Sequence, residues 1–337
     1  MRPAQQPRFY RFLNLLLAGV VGLSVVAQAP AKTAEPRLGP GDHVLTLKVG
    51  DLNRRYIVHV PTGYDDKKPA PVVIMFHGGG GTARGAMRET GWTQKADREG
   101  FLAVFPEATP PDPTKPSRIG TNGQAWNDGS GGFHSGERNI PDVAFIDAML
   151  DDLIARFAVD QRRIYATGFS NGACMTFRVG VDLSARIAAI APFAGSLWLK
   201  EPKLDRPVAL FYITGDADPL NPFEGGAPKM ATGASIRTAV SRVKPPAREF
   251  VAAWAHLLGC SAEPKPAPAT PGVTTLRYGG GREDTEVRFS VIAGHGHIWP
   301  GGKNLLPESM VGKATARFNA TDAIWEFFVS HPMPERR

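Results

Sequence analysis

Gly168-Phe169-Ser170-Asn171-Gly172 sets a serine between two glycines, after a short apolar run and ahead of a segment of helical composition. A serine hydroxyl is a weak nucleophile until a neighbouring base takes its proton and a third group fixes that base. The pentapeptide is therefore informative only where such partners exist. Two later stretches supply them: one apolar run ends in Gly215-Asp216-Ala217-Asp218-Pro219, and another ends in Gly294-His295-Gly296-His297. Serine, then acid, then histidine, each at the end of a strand-like run, is the chain order of a triad whose serine sits on a strand-to-helix elbow. Residue types alone do not choose Asp218 over Asp216, or His297 over His295. The same D-x-D and H-x-H pairs offer a competing chemistry, a zinc or manganese ion held by His295, His297, Asp216 and Asp218. That alternative leaves the serine without a role, so no metal and no cofactor is expected.

Acyl chemistry at a serine also needs donors for the oxyanion. The backbone N–H of Asn171, at the start of the helix, is one. Another comes from the loop His77-Gly78-Gly79-Gly80-Gly81, with Gly78 and Gly79 as candidates, because glycine lets the backbone approach a substrate closely. A phosphate-binding loop is excluded by the missing Lys-Ser/Thr that such a loop requires. His77 is a candidate for substrate contact, although a prop for the glycine loop is the preferred role. Trp126 and Trp299 are candidates to stack on an aryl or sugar ring, against the commoner fate of a lone tryptophan in the core.

The elements that must position these groups read as α/β. Residues 72–76 (VVIMF) and 101–105 (FLAVF) are continuous apolar runs, as strands buried on both faces should be. Further strands are expected at 55–60, 164–166, 187–193, 208–214 and 287–293. Helical spacing marks 142–157, a helical stretch is expected at 250–258, and 320–328 reads as a closing helix. Strands alternating with helices imply a mostly parallel sheet covered by helices on both faces. Candidate groups at the carboxyl ends of parallel strands converge on one edge of such a sheet. Two long interruptions, 109–139 and 219–286, fit either surface loops or walls of a site.

Composition and termini bound the rest. An apolar fraction of 42% is that of an ordinary globular chain. Arg2, Arg8 and Arg11 precede an apolar core at 12–26, and Ala29-Pro30-Ala31 fits a signal-peptidase site. The expected organisation is a signal peptide at 1–31, an N-terminal segment at 32–50 and one catalytic domain at 51–332. Losing three arginines takes the net charge from +7 to 7 − 3 = +4. That excess is modest, and no basic cluster with interleaved aromatics accompanies it, so nucleic acid is not an expected partner. Cys174 and Cys260 either pair in an oxidising compartment or remain free thiols.

HGGGG after a buried strand, GFSNG, GDADPL and GHGHIWPGG together resemble secreted α/β-hydrolase esterases, the polyhydroxybutyrate depolymerases and feruloyl esterases. The likeness runs over about 55–328 and extends to Trp126-Asn127-Asp128 and to DVAFI at 142–146. The resemblance implies Ser170 as nucleophile, Asp218 as the acid before proline and His297 as the base before x-W-P-G-G. It implies an acyl-enzyme route on feruloyl-type esters or short hydroxybutyrate-type oligoesters. The expected partner is a small or oligomeric ester, with no membrane association after leader removal and a secreted location, extracellular or periplasmic. Soluble esters are expected to be better substrates than crystalline polymer, because no tether to an adsorption domain is evident. The Ala173-Cys174 pair stands where the family usually has Gly and Met.

Overall fold

The structure is a computed structural model and describes residues 38–229, 242–268 and 270–335. The expected signal peptide lies outside these residues. Strands β1 (Gly41–Val49), β2 (Leu52–Val60), β3 (Ala70–Phe76), β4 (Leu102–Pro106) and β5 (Val159–Phe169) make up the first half of the sheet. Strands β6 (Ala189–Phe193), β7 (Ala209–Gly215), β8 (Lys265–Pro266), β9 (Val273–Tyr278) and β10 (Val287–Ile292) complete it. The described residues form a 10-stranded sheet in the order β1-β2-β4-β3-β5-β6-β7-β10-β9-β8. From β4 to β10 every neighbouring pair is parallel. The pairs outside that block, β1 with β2, β2 with β4, β10 with β9 and β9 with β8, are antiparallel.

The helices are α1 (Ala83–Thr90), α2 (Trp92–Glu99), α3 (Phe133–Glu137), α4 (Asp142–Arg156), α5 (Asn171–Asp182), α6 (Ala247–Leu258), α7 (Glu308–Val311) and α8 (Ala320–Val329). Successive side chains of a strand point to opposite faces, so a strand between two helical layers must be apolar at every position. β3 shows this directly. Val72, Ile74 and Phe76 join a core with Ile146, Met149 and Leu153 of α4, Met175 and Phe177 of α5 and Trp254 of α6. Val73 and Met75 face the other core, with Trp92 of α2 and Ile324, Phe327 and Phe328 of α8. Thr82 caps α1 by accepting from Gly85 N at 3.0 Å, and Asn319 caps α8 by accepting from Asp322 N at 3.0 Å. Each such cap stabilises a helix by about 1 kcal/mol.

The expected boundary at residue 51 needs correction. β1 lies in the segment expected to precede the domain, and it pairs with β2 from Gly41↔Val60 to Val49↔Leu52. It is a half-exposed edge strand, with a burial that alternates at every residue, so it lacks the continuous apolar run of the central strands. The interruption at 109–139 is a wall of the site described below and carries α3. The proline-rich part of the 219–286 interruption, at 262–272, holds β8 at the far sheet edge. Cys174 and Cys260 are both free.

Candidate active site

The carboxyl ends of β3, β5, β7 and β10 carry the groups singled out by the sequence. β5 runs into α5 through Ser170, which is held at φ 59°, ψ −121°. That left-handed conformation costs a non-glycine residue on the order of 1–3 kcal/mol and projects the side chain out of the turn. The flanking glycines are sterically required. A Cβ at Gly172 would lie 2.2 Å from Phe76 O, and one at Gly168 would lie 2.3 Å from Gly172 O. The tight spacing pulls α5 against the end of β3, which brings the glycine loop beside the serine.

Asp218 follows β7 and His297 follows β10, neighbouring parallel strands. His297 Nδ1 lies 2.6 Å from Asp218 Oδ2. The other oxygen of Asp218 accepts from Leu220 N and Asn221 N, both at 2.8 Å, so the carboxylate is fixed and points one oxygen at the imidazole. With Nδ1 as the donor, Nε2 is left with its lone pair. Ser170 and His297 line the same cleft, of about 460 Å³, together with Gly78, Gly79 and Asn171. The Phe169 ring packs 4.7 Å from the His297 ring and limits its tilt.

Asp216 and His295 are engaged elsewhere. Asp216 Oδ1 accepts from Gly294 N at 2.6 Å, which ties the β7 loop to the β10 loop. Thr315 N donates to His295 Nδ1 at 3.1 Å, and His295 Nε2 donates to Ile298 O at 2.7 Å. That pattern fixes the neutral tautomer, and burial depresses the pKa of the ring further. Both ring nitrogens are occupied, so His295 has no lone pair free for a metal. Among the described residues no group of three or more His, Cys, Asp or Glu comes together as ligands.

The glycine loop is propped from behind. Ala108 N donates to His77 Nε2 at 3.1 Å, which places the proton on Nδ1, and that nitrogen donates to Gly78 O at 2.8 Å. His77 is buried, and desolvation lowers its pKa. The Gly80 and Gly81 amides are committed to Gln124 O and Gly78 O. The Gly79 and Asn171 amides have no acceptor among the described residues, and both residues line the cleft.

Trp126 and Trp299 are corrected as substrate-contact candidates, while His77 takes the role preferred from the sequence, a prop for the glycine loop. His77 is turned into the protein, as just described. Trp126 and Trp299 are fully buried: Trp126 Nε1 donates to His77 O at 2.9 Å, and Trp299 Nε1 donates to Thr321 Oγ1 at 3.0 Å. The aromatic rings that do line the cleft besides Phe169 are Phe133 of α3 and Trp198, in the loop after β6. Trp198 was legible by the same rule that found Asp218, since it follows the carboxyl end of a parallel strand. Phe133 sits over the glycine loop, its ring 3.3 Å from where a Gly79 Cβ would stand.

Trp126-Asn127-Asp128 and the start of α4 form one hydrogen-bonded unit behind Asn171. Trp126 N donates to Asn171 Oδ1 at 2.7 Å, and Asn171 Nδ2 donates to Asp128 Oδ2 at 2.8 Å. Asp142 accepts from Arg54 at 2.6 Å and from Asn127 N at 2.7 Å, which anchors the loop to α4 and β2. Cys174, one turn into α5, also lines the cleft; its sulfur accepts from Ser196 N at 3.2 Å, and burial pushes the thiol pKa up to about 11.

A mostly parallel sheet with a serine elbow, a glycine loop beside it and an Asp–His pair on later strands is an α/β-hydrolase. The chain belongs to the phospholipase/carboxylesterase family, which matches it over residues 62–230, a span that includes the glycine loop, Ser170 and Asp218. It is on that ground a carboxylic ester hydrolase. A putative esterase, NocK, of Nocardia uniformis subsp. tsuyamanensis is 27% identical over 323 residues, covering 89% of this chain and 89% of that protein. Feruloyl esterase B of Piromyces equi is 29% identical over 255 residues, covering 74% of this chain and 44% of that protein. The chain thus spans most of the first relative and under half of the second. Among solved structures, the acetyl xylan esterase from Aspergillus awamori superimposes with a TM-score of 0.53 at 17% identity, over 77% of this chain and 94% of that one, a likeness of fold alone. No helix among the described residues is long and apolar enough to cross a membrane.

Proposed function

We propose that the protein is an exported serine esterase that works through an acyl-enzyme on feruloyl-type esters or short hydroxyacid oligoesters. The observation that carries the mechanism is the 2.6 Å contact of His297 with Asp218 in the cleft that also holds Ser170. Ser170 Oγ attacks the ester carbonyl while His297 Nε2 takes its proton, and Asp218 stabilises the imidazolium that forms. The amides of Asn171 and of Gly79 or Gly78 receive the oxyanion. His297 returns the proton to the leaving alcohol, and water then releases the acid by the same steps in reverse. A cleft of about 460 Å³ lined by Phe133 and Trp198 suits an aryl acid or a few hydroxyacid units. The feruloyl reading is supported by the name of the Piromyces equi relative. Export is supported by the basic and apolar segments within residues 1–31.

A fluorophosphonate that phosphorylates active serines tests the mechanism. The expected product is a single adduct on the peptide containing Ser170, with loss of p-nitrophenyl acetate hydrolysis in proportion to labelling. Full labelling with activity retained, or no labelling of an active preparation, sinks the mechanism. A panel of methyl ferulate, p-nitrophenyl acetate and a hydroxybutyrate dimer then ranks the acyl groups; turnover of none of the three overturns the substrate class.

Asp128 is the residue that orients Asn171, and its oxyanion amide, through the side chain. In Asp128→Asn the new amide cannot accept from both Asn171 Nδ2 and Ser130 N, which donates to the carboxylate at 2.9 Å. One donor then faces another. Loss of one oxyanion donor costs 10²–10³ in kcat; misalignment of one should cost about tenfold to a hundredfold, with KM changed less than threefold. A rise in KM with kcat intact would assign Asp128 to substrate binding instead.

A further inference from the structure

The cleft has a cationic wall that ester hydrolysis itself does not use. Arg242 and Lys244 line it beside Trp198, and neither has a carboxylate within 4 Å among the described residues. Resting on the esterase reading above, we propose that Arg242 and Lys244 form a carboxylate subsite, and that the preferred substrates are esters carrying a free carboxylate elsewhere in the same molecule. A short hydroxyacid oligomer has that chemistry, with its terminal acid at one end and its scissile ester a few atoms away.

The wall is built rather than incidental. Lys244 is backbone-paired with Gly226, Lys244 N donating to Gly226 O at 2.8 Å and Gly226 N donating to Lys244 O at 2.9 Å. Its ammonium lies 5.3 Å from the centre of the Trp198 ring, a cation–π contact that holds the charge over the aromatic floor. Arg242 is exposed at the rim of the cleft, and its Nη1 donates to Ser130 O, which sets the guanidinium where it can meet a ligand. Arginine is suited to that role because its planar fork matches the two oxygens of a carboxylate.

The protein's own charges do not cancel this wall. Asp128 is the buried carboxylate beside it, and its oxygens are occupied by Asn171 Nδ2 and Ser130 N. Lys244 acts on it only through space, opposing the burial that raises the Asp128 pKa. Two cations against one carboxylate leave an excess of positive charge on this side. The other acid lining the cleft, Glu137, is exposed at the end of α3.

The test compares the 3-hydroxybutyrate dimer as its free acid with the same dimer as its methyl ester. The two differ in charge, and because the methyl ester adds a second cleavable ester, only cleavage of the internal ester they share is scored. The readout is initial release of methyl 3-hydroxybutyrate from the methyl ester and of 3-hydroxybutyrate from the free acid. The intact protein should show a kcat/KM for the free acid at least fivefold above that for the methyl ester. Raising salt from about 20 mM to about 500 mM should erode the ratio, since exposed charges are screened. In Arg242→Gln/Lys244→Met the ratio should fall at least fivefold, chiefly through KM of the acid. Lys244→Glu should drive it below one, with thermal unfolding confirming that each variant is folded. A ratio near one in the intact protein overturns the subsite, and so does a ratio unchanged by the substitutions, which would leave the cations as counter-charges of Asp128. Turnover of p-nitrophenyl acetate is measured in parallel: its loss strikes the esterase reading, whereas its presence without acid preference strikes the subsite alone.

Discussion

Ser170→Ala is expected to lower kcat/KM for p-nitrophenyl acetate by about 10⁵-fold or more while leaving the protein folded. Removing the nucleophile of a serine triad costs about 10⁶ in kcat where it has been measured, equivalent to roughly 8 kcal/mol of transition-state stabilisation. Binding and the oxyanion donors remain, so a residual rate above water should persist. Stability should scarcely change, because alanine adopts the same φ of 59° at the same cost as serine. Ser170→Gly separates the two effects. It should be as inactive as the alanine variant yet more stable by about 1 kcal/mol, since glycine relieves the left-handed strain. Thermal unfolding and initial rates on all three proteins check this. Turnover by Ser170→Ala within a hundredfold of the parent would remove Ser170 from the mechanism.

His297→Gln should be nearly as damaging, about 10⁵-fold, and Asp218→Asn should cost about 10⁴-fold. The aspartate effect is electronic as well as positional. In Asp218→Asn the new side-chain amide could offer its NH2 to His297 Nδ1, which would put the imidazole proton on Nε2, the wrong nitrogen to act as a base. Asp216→Asn should stay within about tenfold of the parent, because its carboxylate only holds Gly294 N. His295→Gln should act on stability rather than rate, since both ring nitrogens bind structure at Thr315 and Ile298. Rates normalised to folded, fluorophosphonate-reactive protein make the comparison. A larger loss at Asp216 or His295 than at Asp218 or His297 would mean that the proton relay runs through the other pair.

The fold was legible where physics writes one-dimensionally. A strand buried on both faces must be apolar throughout, so VVIMF announced β3, and helical spacing announced α4. β1 was silent because an edge strand with one solvent face alternates and borrows polar residues. At the site, the elbow, acid and histidine were visible as residues at the ends of apolar runs. The choice within each pair was not, because two residues two positions apart differ only in the partners that folding brings to them. Trp126 and Trp299 show the same limit from the other side. A tryptophan near a motif looks like a contact residue until an indole N–H is seen bonded to His77 O or Thr321 Oγ1. Lys244 carried no motif at all; its meaning comes from the loop path that lays it over Trp198.

β7 and β10 lie side by side, with Gly215 opposite Ile292, although the chain makes a long excursion between them. That excursion departs just after the acid and returns just before the base. It includes Arg242, Lys244 and α6, and β8 and β9 at the sheet edge. Proton transfer is therefore anchored at the two ends of one long insert, whose α6 is packed into the core through Trp254. Exchanges confined to the stretch around Arg242 and Lys244 leave Asp218 and His297 where adjacent strands put them, while altering the charge and shape that an incoming ester meets. Such a chain can change its diet without relearning its chemistry, and the same seam is where a grafted loop from a relative should transplant a substrate preference.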